Sequence, residues 1–79
     1  MRILEAAGYR CTRAAGSLGL FDVVAVGATD IRLIQVKCGS ARLSLAEREA
    51  IAGCRVPPAV SREYWRFPPR ARVPIIEAI

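Results

Sequence analysis

The 79-residue chain contains no histidine. That excludes catalysis by an imidazole base, and with the cysteine pattern it excludes a zinc site, which draws on Cys and His at close spacing. Cys11, Cys38 and Cys54 form an odd set with no Cys-x-x-Cys pair. They read as small buried hydrophobes in a reducing compartment rather than as a disulfide framework. Long apolar runs are also missing. Asp22, Asp30 and Arg32 interrupt the longest one, which falls short of the ~20 residues that a membrane span requires. The N-terminus has no signal-peptide core, so the expected location is the cytoplasm, with no membrane partner. Lysine is nearly absent: Lys37 stands alone beside eleven arginines.

Arginine therefore supplies almost all of the +5 net charge, and the pI is near 9.9. A planar guanidinium matches phosphate oxygens, so this bias points to DNA as a partner, although GC-rich coding alone also favours Arg and Ala. The length fits a single domain over residues 1–79, of a size that buries only about 60% of its unfolded surface. A hydrophobic fraction of 53% is high for so short a chain. The excess apolar surface is expected to be covered in a homodimer.

The stretch from Gly16 to Gly39, GSLGLFDVVAVGATDIRLIQVKCG, carries most of the information. Leu20 to Val26 and Ile31 to Cys38 are rich in Val, Ile and Leu, and Gly27-Ala28-Thr29-Asp30 between them are turn residues. This predicts a β-hairpin. Its strands are apolar at nearly every position, so both faces are expected to be covered, with a helix over the sheet. Side chains alternate along a strand, so Gln35 and Lys37 point the same way and Asp22 can join them from the paired strand. A buried charge needs a partner or a metal. Mg²⁺ prefers oxygen ligands and keeps several waters, so Asp22, the Gln35 amide oxygen and the Val36 carbonyl are the candidate ligands. Lys37 would then face the phosphate under attack. A purely structural alternative pairs Asp22 with Lys37 in a small α/β domain.

The run RAAGSLGLFDVVA followed by IQVKCG resembles the archaeal Holliday-junction resolvase branch of the PD-(D/E)xK nuclease superfamily. The likeness is good from Arg13 to Gly39 and looser in the flanks. It implies an α/β fold, a minimal restriction-endonuclease-like core with a mixed sheet of four to five strands flanked by helices. It also implies a metal-dependent DNA endonuclease that hydrolyses phosphodiester bonds, in branched or recombining DNA, and acts as a dimer. Asp22 and Gln35 would be ligands of Mg²⁺ or Mn²⁺, Lys37 would orient or activate the attacking water, and Ser17 would lie beside the scissile phosphate. Most members carry Glu where this chain has Gln35, a QxK variant. Relatives also place a metal-binding Glu about two turns before the Gly-aromatic pair that here is Gly8-Tyr9. That position falls at or before Met1, and Glu5 is the only early carboxylate. The alternative function is a non-catalytic DNA-binding or assembly module that retains the nuclease fold.

Around this centre, Arg2 to Ala7 predicts a short helix stopped by Gly8. Its abruptness suggests a late start or a trimmed first helix. Tyr9 to Ala14 alternates as a strand, with Arg10 and Arg13 placed either to reach phosphate or to act as solvated edge charges. The glycines of Gly16-Ser17-Leu18-Gly19 permit close backbone approach to a ligand, or form only a tight connection. Ser44-Leu45-Ala46-Glu47 is a capping box opening a helix from Leu45 to about Ala52, ended by Gly53. Leu45, Arg48 and Ala52 fall near one face, and Glu47 and Arg48 are expected to be mostly in solvent. Arg42 and Arg48 are candidates for DNA backbone contacts. Val56-Pro57-Pro58-Ala59 reads as a stiff linker, Glu63 to Phe67 as a strand, and Val73 to Ile79 as a short edge strand after Pro74. Tyr64, Trp65 and Phe67 read as core or interface in preference to base-stacking platforms.

Overall fold

The computed structural model describes residues 2–14 and 20–79. In chain order these form α1 (Arg2–Ala6), β1 (Arg10–Arg13), β2 (Val23–Val26), β3 (Ile31–Cys38), α2 (Leu45–Gly53), β4 (Val60–Phe67) and β5 (Ile75–Ala78). The strands make one mixed sheet in the order β1-β2-β3-β4-β5. Every neighbouring pair is antiparallel except β3 and β4, whose parallel pairing requires the crossover that carries α2. This is an α/β architecture with five strands and two helices.

Local chemistry accounts for the boundaries. Gly8 takes φ +94°, and the Gly8 and Tyr9 amides donate to the Glu5 and Leu4 carbonyls, each at 3.0 Å. The residue expected to stop α1 does so, in a conformation that glycine adopts without strain. The predicted hairpin is present, closed by the Gly27 amide on the Asp30 carbonyl at 2.8 Å. The Tyr9 hydroxyl donates to the Asp30 carboxylate at 2.7 Å. A Cβ on Gly27 would lie 2.7 Å from both the Tyr9 ring and Asp30 Oδ1, so this turn admits no side chain there.

The crossover begins at Gly39, with φ +65°, and α2 opens with the predicted capping box. Glu47 N donates to Ser44 Oγ at 3.1 Å, and Ser44 N to Glu47 Oε1 at 3.0 Å. At the other end Arg62 Nη1 donates to the Ala52 and Cys54 carbonyls at 2.8 Å, so a β4 guanidinium satisfies the helix terminus and tethers α2 to the sheet.

Alternation assigns the two faces. Val23 and Ala25 of β2, Ile34 and Val36 of β3 and Trp65 and Phe67 of β4 share one face with Leu4 of α1; Leu4, Ala25, Ile34 and Trp65 are each at most 1% exposed. Gln35 and Lys37 share the opposite face with Tyr64 and Arg66, and α2 lies against it through Ile51, which is buried. Each face therefore carries a helix, as the apolar hairpin implied, although Val26 at the hairpin end stays 45% exposed.

Several expectations are corrected. β2 begins at Val23 rather than Leu20, because the Asp22 side chain takes the place of a backbone partner beside β3. β4 begins at Val60 rather than Glu63: Val60, Ser61 and Arg62 lack an apolar alternation, and pairing with Ile31 to Leu33 draws them into the sheet. Gly53 is still helical, with Cys54 as the C-cap. On α2, Glu47 and Arg48, expected mostly in solvent, are partly covered and ion-paired and Ile51 is buried, whereas Leu45 and Ala52 are exposed, Leu45 at 72%. Burial of Ile51 and the ion pairs of Glu47 and Arg48 lie on the same side of this helix, the side that meets the sheet. The cysteines are free but not buried: Cys38 is exposed, and Cys11 and Cys54 are partly covered.

Candidate active site

Asp22 is fixed by its own backbone before its side chain does anything. Its amide donates to the Ile34 carbonyl at 2.8 Å, and its carbonyl accepts from the Ala14 amide at 2.9 Å. The β2–β3 ladder stops at Val23 and Ile34. Peptide groups of Ile34 and Val36 turn to the same side of β3, so the next group facing β2 is that of Val36. Asp22 Oδ2 accepts its N–H at 2.9 Å, and the Val36 carbonyl faces the same gap. An exposed carboxylate thus sits where two strands part, with one oxygen, Oδ1, outside that bond. The gap opens into a cleft of about 480 Å³ lined by Cys11, Thr12, Arg13, Asp22, Val23 and Val36.

Lys37 and Gln35 lie on the α2-covered face. The Gln35 side chain is buried, opposite Tyr64, and Lys37 is opposite Arg66. Lys37 Nζ is 3.1 Å from Glu47 Oε2. The capping glutamate therefore has a second role, and its carboxyl is held below the ordinary range, first by the Ser44 amide, then by Lys37 and the Ser44 hydroxyl. Among the described residues no hydrogen bond or ion pair joins Asp22 to Gln35 or Lys37. The structure thus groups Asp22 with Val36 and Arg13, and Lys37 with Gln35 and Glu47. Glu47 was legible only as a cap. Its reach to Lys37 depends on how the crossover lays α2 on the sheet, which no local pattern encodes.

The other predicted residues divide. Arg13 lines the Asp22 cleft, whereas Arg10 is exposed on the outer strand opposite Val26. Arg48 is engaged within the protein: it pairs with Glu77, and its guanidinium carbon lies 5.9 Å from the centre of the Tyr64 ring. The Glu77 carboxylate raises the Arg48 pKa. Arg42 and Arg48 line a separate pocket with Arg66. Ser17 and the rest of Gly16-Ser17-Leu18-Gly19 lie outside the described residues, as does Ala15 of the RAAGS run. Trp65, a possible stacking platform by sequence, is wholly buried core.

The donors at the strand gap suit a hard divalent cation. Asp22 Oδ1 and the Val36 carbonyl are both oxygen, the kind of ligand Mg²⁺ prefers alongside water, whereas the Gln35 side chain, buried opposite Tyr64, is not among the residues that line the cleft. The described residues hold no group of three or more His, Cys, Asp or Glu able to bind a metal, so this set depends on one carboxylate and neutral oxygens. Compared with protein-family models, curated proteins and solved structures, the chain finds no match in any of the three.

Proposed function

We propose that this protein is a metal-dependent endonuclease that hydrolyses phosphodiester bonds in DNA, with Asp22, Gln35 and the Val36 carbonyl as the site for Mg²⁺ or Mn²⁺. The observation that carries the reading is the Asp22 carboxylate anchored on the Val36 amide at the open end of the β2–β3 ladder, one residue before the chain's only lysine. A bound divalent cation would supply Lewis acidity toward a phosphate oxygen. Lys37 would supply positive charge to the developing oxyanion once its ammonium exchanges Glu47 for phosphate. Arg13, in the Asp22 cleft, would hold the neighbouring backbone. Ser17 keeps the role beside the scissile phosphate that the resolvase-like motif implies, and Arg10 is assigned to flanking DNA.

The chain offers little surface for recognising a four-way junction alone. We assign that task, and a place in DNA recombination or repair in the cytoplasm, to a homodimer. The exposed Val73, Ile75 and Ile76 around edge strand β5 are its apolar material. No helix among the described residues is long and apolar enough to cross a membrane.

A second reading is a non-catalytic DNA-binding or assembly module, and the Lys37–Glu47 ion pair with the neutral Gln35 favours it. The deciding experiment is cleavage of labelled duplex, single-stranded, flap and four-way-junction DNA with Mg²⁺ or Mn²⁺. Metal-dependent cutting by the wild type, abolished in both Asp22→Ala and Lys37→Ala, is the expected result. Binding of these DNAs without cutting by the wild type transfers the assignment to the module.

A further inference from the structure

The α2-covered face holds a second concavity that the Asp22 cleft does not use. It has a volume of about 210 Å³ and is lined by Arg42, Arg48, Arg66, Tyr64 and Glu77 together with apolar neighbours. Small-molecule sites run to roughly 300–1,000 Å³, so this pocket fits one compact group rather than a whole nucleoside or cofactor.

Its polar groups specify the chemistry of that occupant. Three guanidiniums face one carboxylate. Glu77 engages Arg48, while Arg42 and Arg66 make no ion pair among the described residues. Tyr64 is 6% exposed, and its hydroxyl is the one buried side-chain polar atom without a hydrogen-bond partner among the described residues. A buried tyrosine hydroxyl normally has a partner. A guanidinium can only donate, and Tyr64 lines the same pocket as three of them, so what the pocket lacks is a further acceptor with several oxygens and negative charge.

We propose that this pocket binds a phosphate group, with Arg66 and Arg42 as its ion-pair partners and the Tyr64 hydroxyl donating to one of its oxygens. Arg66 stands directly opposite Lys37 in the parallel β3–β4 register, and both side chains project from the same face. Adjacent strands are about 4.8 Å apart. The phosphate is thus a backbone phosphate of a nucleic-acid strand that passes Lys37, an assignment that rests on the nuclease reading, whereas phosphate binding itself does not.

The test is an NMR titration of the full chain with inorganic phosphate against chloride at matched ionic strength, without divalent metal, reading the arginine side chains and the Tyr64 ring. Saturable shifts confined to Tyr64, Arg66 and Arg42 are expected. Arg66→Gln should weaken binding by about tenfold or more, and Tyr64→Phe, which keeps the ring, by about three- to tenfold. Shifts no different from those with chloride, or phosphate affinity unchanged in Tyr64→Phe, overturn the pocket. A second arm measures binding of a single-stranded oligonucleotide lacking terminal phosphate. Arg66→Gln should lower affinity and reduce the salt slope by about 1. If Arg66→Gln spares oligonucleotide binding but loses inorganic phosphate, the pocket takes a free phosphate and the backbone assignment fails. Cleavage by Asp22→Ala tests the nuclease reading separately.

Discussion

The two faces of the sheet are built on opposite principles. Beneath α1 the polar groups within the core are partnered. Glu63 accepts from Trp65 Nε1 at 2.8 Å and from the Ser61 hydroxyl at 2.7 Å, and it pairs with Arg32 Nε at 3.1 Å. Tyr9 is closed on Asp30, and Arg32 lies over the Tyr9 ring at 5.3 Å. Beneath α2 a single aliphatic side chain, Ile51, anchors the helix, and Gln35, Lys37, Tyr64 and Arg66 occupy the sheet. There, among the described residues, a buried hydroxyl has no hydrogen-bond partner and a lysine pairs with a helix-capping glutamate. The first face buries its polar groups in mutual hydrogen bonds. The second sets charged and polar side chains against its helix.

The sharpest way to break this contrast is to substitute neighbours on β4 that face opposite ways. Trp65→Ala empties the α1-side core and should cost about 3–5 kcal/mol, comparable to the entire stability of a small domain. Tyr64→Phe removes only the unpartnered hydroxyl, and its effect should lie within about 1 kcal/mol of zero, with stabilisation as readily as loss. Guanidinium unfolding followed by circular dichroism measures both. Equal destabilisation would mean that the faces share the load. Glu63→Ala ranks next. It strands Arg32 and the Trp65 indole N–H, and should cost about 2–3 kcal/mol, less than a fully buried pair because Arg32 is 31% exposed. Its signature is a lower denaturation midpoint at unchanged slope.

The same division explains what was legible in the sequence. Features encoded within a few residues emerged correctly: the Gly8 stop, the hairpin turn at Gly27 to Asp30, the Ser44–Glu47 box, and β5 at an edge after Pro74. Trp65 was assigned to core by strand spacing alone. Tertiary placement was not legible. Val60 to Arg62 became strand only because β3 offered a parallel edge. The ion pairs of α2 reach Lys37 and Glu77 on distant strands. At the site, alternation put Gln35 and Lys37 on one face, but the bond from the Val36 amide to Asp22 arises from where the ladder ends, which the hairpin pattern over-extended by three residues. The three-arginine pocket joins residues from the crossover, α2, β4 and β5, and no sequence window contains them together.

The smallest expected effect, and the most selective, concerns Glu47. Its carboxyl is held below the ordinary value of about 4.3 by the Ser44 amide, by Lys37 and by the Ser44 hydroxyl. A carboxyl depressed on folding contributes stability that is complete above its unfolded pKa and is lost as pH falls through the lowered folded value. Acid should therefore loosen the first turn of α2 and release Lys37 together. Amide exchange in that turn, followed from neutral pH to below about 4, should show protection falling in the wild type. In Glu47→Gln protection should be weaker throughout and nearly flat with pH, because the amide can still cap but does not titrate. An identical pH slope in both proteins would assign the acid response elsewhere. The contact is also competitive: Glu47 holds the ammonium that the proposed chemistry requires, so Glu47→Gln should raise the availability of Lys37 to phosphate even as it weakens the helix cap. Opposite signs in exchange protection and DNA affinity for this one substitution would show that α2 is fastened to the sheet through a residue that its function needs free.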